Sequence, residues 1–103
     1  MNPTSEEAAK SKLLSAQILH KNGKYDESLK VVTKAFEIGS SRVIPHIRIV
    51  NCYLLQGMNY KELNDSENAF KALKLAAKFL EEMKTVKQYG NLKRKVEGAL
   101  SIF

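Results

Sequence analysis

One cysteine, two prolines, five glycines and no tryptophan among 103 residues set the first limits on this chain. A lone thiol, Cys52, excludes an internal disulfide framework and any metal site built from several cysteines, and it points to a reducing cytoplasmic or nuclear setting. With few helix breakers and abundant Ala, Leu, Lys and Glu, the composition favours an all-α fold. No apolar run is long enough to span a membrane, and the start, Met1-Asn2-Pro3-Thr4-Ser5-Glu6-Glu7, lacks the basic lead and apolar stretch of a signal peptide. Acidic residues are the scarcer sign, 11 against 17 basic ones, for a net charge of +6. Much of the excess falls late, at Lys84, Lys87, Lys93, Arg94 and Lys95. Such a surplus suits acidic partners, nucleic acid or anionic lipid; it is equally what lysine-rich solvated helix faces give. The chain has the size and the apolar content, 44%, for one small domain over residues 1–103 with a modest core.

Five helical stretches follow from apolar spacing and from the breakers between them. Thr4-Ser5-Glu6-Glu7 has the capping-box pattern, and Ala8 to Lys21 carries a stripe of Ala9, Leu13, Ala16 and Leu19/His20. Asn22-Gly23-Lys24 stops it, because Asn and Gly tolerate the left-handed conformation of a tight reversal. A second helix spans about Asp26 to Ile38, with Leu29, Val32, Ala35 and Phe36 on one face and Gly39 at its end. Pro45 suits the first turn of a third helix that continues to about Leu63. That helix is apolar over a wide arc, which predicts the most buried element. Asn64-Asp65-Ser66 turns the chain into a fourth helix, Glu67 to Met83. A fifth amphipathic stretch carries Val86, Tyr89, Leu92, Val96, Ala99, Leu100 and Phe103; periodicity leaves open whether it continues the fourth helix. The resulting hairpins occupy residues 5–38 and 45–83, followed by a C-terminal helix at 84–103.

Tyr53, Gln56, Gly57, Tyr60, Asp65, Ala69, Leu73 and Ala76 form an ordered series whose gaps of three and four place them on facing sides of a helical hairpin. Small residues at Gly57, Ala69 and Ala76 mark where the backbones come closest. Aligning Gly23 with Asn64 pairs Ala16 with Gly57, Leu19 with Tyr60, Ser28 with Ala69, Val32 with Leu73, and Ala35 with Ala76. This layout resembles the tetratricopeptide repeat, in a long-period version: the offset is about 41 residues, against the usual period of about 34. Lys12 and Ser15 stand where the family has a bulky residue and a Leu, so the first hairpin reads as a terminal, partly solvent-facing unit. Two other readings stay open: an unrelated helical bundle, and a microtubule-interacting-and-trafficking type domain, to which the first hairpin alone is similar.

The resemblance implies an α-solenoid of antiparallel hairpins and a non-enzymatic adaptor or scaffold that binds protein partners. In this family the first helix of each hairpin lines a groove. The register carries that role to Lys10, Leu13, Gln17, His20 and Lys21, then to Asn51, Leu54, Met58, Lys61 and Glu62. Of these, Leu13, Gln17, His20, Asn51, Leu54, Met58 and Lys61 are the candidate partner-binding residues. The family's carboxylate clamp wants a Lys and two Asn where this chain has Leu13, Gln17 and Leu55, so a chaperone C-terminus is a poor ligand. An apolar or amphipathic peptide suits the groove better.

The residues give little support to catalysis, a metal or a cofactor. His20 and His46 lack other donors at ligand spacing, and both read as solvated helix-end residues. Cys52 reads as a small buried hydrophobe with no basic neighbour to lower its pKa. Glu6-Glu7 and Glu81-Glu82 are adjacent pairs that diverge on a helix, and no glycine loop is present to cradle phosphate. Nucleic-acid binding through the late basic cluster, with Tyr89 as a single stacking ring, is the alternative function.

Overall fold

A computed structural model describes residues 5–39, 46–82, 87 and 89–101. These form five helices and, among the described residues, no strand: α1 (Ser5–Lys21), α2 (Tyr25–Gly39), α3 (His46–Glu62), α4 (Ser66–Glu81) and α5 (Tyr89–Leu100). The expected all-α hairpin architecture is therefore what the chain adopts. Helix α1 pairs with α2, and α3 with α4; α2 packs on α3, α4 on α5, and α3 also touches both α1 and α5. Several expectations lie outside the described residues: the Thr4 cap, Pro45, Lys84, Val86, Phe103, and the side chains of Ala9, Phe36 and His46.

The two hairpin turns share one construction. Gly23 and Asn64, the pair aligned by the repeat, have φ of 79° and 62°. After α1, the Gly23 N–H donates to the His20 carbonyl at 3.0 Å and the Lys24 N–H to Leu19 at 2.9 Å. After α3, Asn64 donates to Lys61 at 3.0 Å and Asp65 to Tyr60 at 2.9 Å. Both are Schellman closures, in which a left-handed residue lets the chain reverse while the last helical carbonyls find donors. Asp65 then caps α4, its carboxylate accepting from the Asn68 N–H at 3.3 Å and the Asn68 side-chain amide at 2.7 Å.

Helix α3 supplies both halves of the core because apolar residues cover most of its circumference. Val50 and Leu54 join Leu73, Ala76, Leu80, Leu92 and Val96, with Tyr53 stacked on Phe79 at 5.7 Å between ring centroids. Cys52 and Leu55 join Leu13, Ala16, Val32 and Ala35 on the other side. Each fully buried Leu or Val stabilises by roughly 1.5–3 kcal/mol before entropy is counted. Gly57 is where α3 and α4 come closest: a Cβ there would lie 2.7 Å from Leu73 Cγ and 3.3 Å from the Ala69 carbonyl oxygen. The repeat partners Ala16, Ser28, Ala69, Val32, Leu73, Ala35 and Ala76 are all buried. Lys12 and Ser15 face solvent. Helices α4 and α5 are separate elements, which periodicity alone left open.

Candidate functional site

An open groove of about 820 Å³ runs across α1, α3 and α5. Leu14, Gln17, Ile18, His20 and Lys21 line it from α1; Asn51, Leu54, Leu55, Met58 and Lys61 from α3; Lys95, Gly98 and Ala99 from α5. Spacings of three and four give each helix one contributing face. The structure thus brings together Gln17, His20, Asn51, Leu54, Met58 and Lys61 from the expected set. Leu13 is placed otherwise. It is 8% exposed and packs in the core with Ala16, Val32 and Leu55, one helical step from the groove. Leu54, at 7%, contributes only an edge.

The apolar surface open to a partner comes instead from Leu14 (58% exposed), Ile18 (53%) and Met58 (37%). Leu14 and Ile18 were absent from the expected set. Their i, i+4 spacing was a legible signal, but it sat beside the equally apolar Leu13 stripe, and α1 rotates the latter inward.

His20 also differs from the solvated residue expected. It is half-buried, with its ring edge-on to Tyr25 at 5.1 Å, and its Nδ1 lies 2.7 Å from Asn59 Oδ1. Asn59 is fully buried, and its Nδ2 donates to Ser28 Oγ at 2.8 Å, whose hydroxyl donates to the Ala16 carbonyl at 2.7 Å. A carbonyl can only accept, so Ser28 must donate to it and accept from the Asn59 amide. Asn59 then presents its oxygen, and His20 Nδ1 must carry a proton. The chain ties α1, α2 and α3 together and leaves no buried polar side-chain atom unpaired among the described residues. Spacing gave no sign of Asn59.

Cys52 is buried, and desolvation pushes its thiol up to about 11. Arg48, one turn earlier, opposes this and is the basic neighbour that the sequence reading missed; burial outweighs it. A thiol held protonated is a packing group. Among the described residues no group of three His, Cys, Asp or Glu is placed to hold a metal ion. No described helix is long and apolar enough to cross a membrane.

Lys93, Arg94 and Lys95 do not share one surface. Lys93 sits over the Tyr89 ring at 5.8 Å and within 3.9 Å of Glu97. Arg94 donates to Asn91 Oδ1 at 2.7 Å, while Lys95 lines the groove. Tyr89 itself packs against the α3–α4–α5 core. Consecutive positions on one helix point about 100° apart, which disperses the charge.

Two stretches, residues 9–38 and 50–79, match the family model of the tetratricopeptide repeat, and together they cover more than half of the chain. The chain belongs to the tetratricopeptide repeat family. The matches begin about 41 residues apart, the same offset that aligns Gly23 with Asn64 and Ala16 with Gly57. In tetratricopeptide terms, α1 and α3 are the first helices of two stacked hairpins, and α5 adds a third helix along the same groove. Repeats of this family generally mediate protein–protein interactions and are typically non-enzymatic. No curated protein and no solved structure matches the chain.

Proposed function

We propose that this chain is a non-enzymatic adaptor or scaffold that holds a segment of a partner protein in the α1–α3–α5 groove. The observation carrying this reading is the exposure of Leu14, Ile18 and Met58 along a groove whose charged lining residues are all lysines. Clustered exposed apolar side chains on a small protein mark a surface that is covered in its working state. A cytoplasmic or nuclear setting accords with the single buried thiol.

The test replaces Ile18 and Met58 together with Glu. Both side chains are outside the core, so far-ultraviolet circular dichroism should be unchanged. Partner capture through a photo-crosslinking residue at position 17 should be lost, and the same crosslinker at exposed Lys30 on α2 should capture nothing specific. Undiminished capture at Lys30 in the double variant would move the interface to the opposite face. Nucleic-acid binding is the weaker reading, because Lys93, Arg94 and Lys95 diverge and Tyr89 is engaged in packing. RNA binding that persists at physiological salt and disappears on Lys93, Arg94 and Lys95→Ala would favour it.

A further inference from the structure

The ionisable residues lining the groove are of one sign. Lys21, Lys61 and Lys95 come from three different helices, His20 lies among them, and no carboxylate lines the groove. None of the three lysines has an ion-pair partner among the described residues, whereas Lys71 pairs with Glu67 and Lys93 with Glu97. Lys21 and Lys61 also sit in the last turns of α1 and α3, where the cation faces the helix carbonyl ends. Lys61 is half-buried, and a lysine in that position can cover apolar surface with its methylene stem. Three unpaired ammonium groups around an apolar floor are complementary to one kind of surface.

From this we infer that the occupant is an amphipathic helix of another protein, with one apolar stripe flanked by Asp or Glu. This rests on the groove reading proposed above. The apolar stripe would meet Leu14, Ile18 and Met58, and the carboxylates would meet Lys21, Lys61 and Lys95. A helix is favoured over an extended strand by the fate of its backbone. Helical segments satisfy their own N–H and C=O groups, whereas an extended peptide needs partners for each, and apart from donor-only lysines the polar lining is limited to the amides of Gln17 and Asn51 and the His20 ring, whose Nδ1 is engaged with Asn59. The groove also has no Phe, Tyr or Trp on which a base could stack, so a single-stranded nucleic acid would find charge without a platform.

Three synthetic helices with an identical Leu stripe and with Glu, Gln or Lys flanks test the inference by fluorescence anisotropy. The Glu helix should bind at least about tenfold more tightly than the Gln helix at low salt, with the ratio shrinking as salt rises, and the Lys helix should bind weakest. Charge reversal at Lys21, Lys61 and Lys95→Glu should invert the order. Equal affinity of all three helices, all lost on Ile18 and Met58→Glu, would overturn the charge inference and leave the groove reading standing. Binding of the Glu helix that ignores Ile18 and Met58→Glu would overturn both. A single-stranded RNA that displaces the Glu helix at physiological salt would overturn the helical occupant in favour of nucleic acid.

Discussion

Replacing Gly57 with Ala sets two opposing effects against each other at the α3–α4 crossing. Glycine inside a helix is less favourable than alanine by about 1 kcal/mol, so propensity alone favours the variant. The new Cβ, however, would stand 2.7 Å from Leu73 Cγ, 2.8 Å from its Cδ2 and 3.3 Å from the Ala69 carbonyl. Leu73 is 1% exposed and enclosed by Val50, Leu54 and Ala76, so its side chain has little room to yield. Overpacking of this kind costs about 1–3 kcal/mol, which leaves a net loss of about 0–2 kcal/mol. The first hairpin supplies the control. Ala16 occupies the equivalent position fully buried, facing Val32 and Ser28 rather than Leu73 and Ala69. Leu73→Ala, which removes both the Cγ and the Cδ2 that the new Cβ would meet, should alone cost about 2–5 kcal/mol through lost packing. Combined with Gly57→Ala it should cost no more than Leu73→Ala by itself, a coupling equal to the relieved overpacking of about 1–3 kcal/mol, measured by urea denaturation. Strict additivity, or a Gly57→Ala variant stabilised by the full propensity gain, would refute the close crossing.

At Gly23, a Cβ meets nothing within 4 Å, so Gly23→Ala tests backbone strain alone; at φ of 79° it should lower stability by about 1–2 kcal/mol in thermal melts. Ser28→Ala strands the Asn59 amide in the core and should cost about 1–3 kcal/mol, whereas Ser28→Ala with Asn59→Leu should recover part of it, since the stranded amide is then gone and half-buried His20 can turn to water. For Cys52, the folded state holds its proton more tightly than the unfolded chain, from the ordinary 9.0 up to about 11. Between those values the unfolded state binds fewer protons, so stability falls as pH rises, by up to about 1.4 kcal/mol per pH unit. Cys52→Ala should remove that increment, seen as the difference between the two proteins' denaturation curves across this window.

Sequence alone determined what depends on neighbours in the chain. Spacings of three and four located the helices, Gly23 and Asn64 located the reversals, and the offset that aligns them located the repeat. Gly57, Ala69 and Ala76 announced the close crossing because only small side chains fit where two helix backbones meet. Each of these signals is read within a turn or a hairpin. Tertiary structure decided the rest. Which of Leu13 and Leu14 faces inward depends on how α1 is rotated against α2 and α3, and adjacent apolar residues carry no preference of their own. His20 finds Asn59 39 residues away in sequence, a pairing that exists only once the two hairpins stack. Lys95 reaches the groove because α5 packs beside α3, which gathers three lysines remote in sequence around one apolar floor. Helix periodicity fixes what shares a face; the stacking of the hairpins fixes which faces meet.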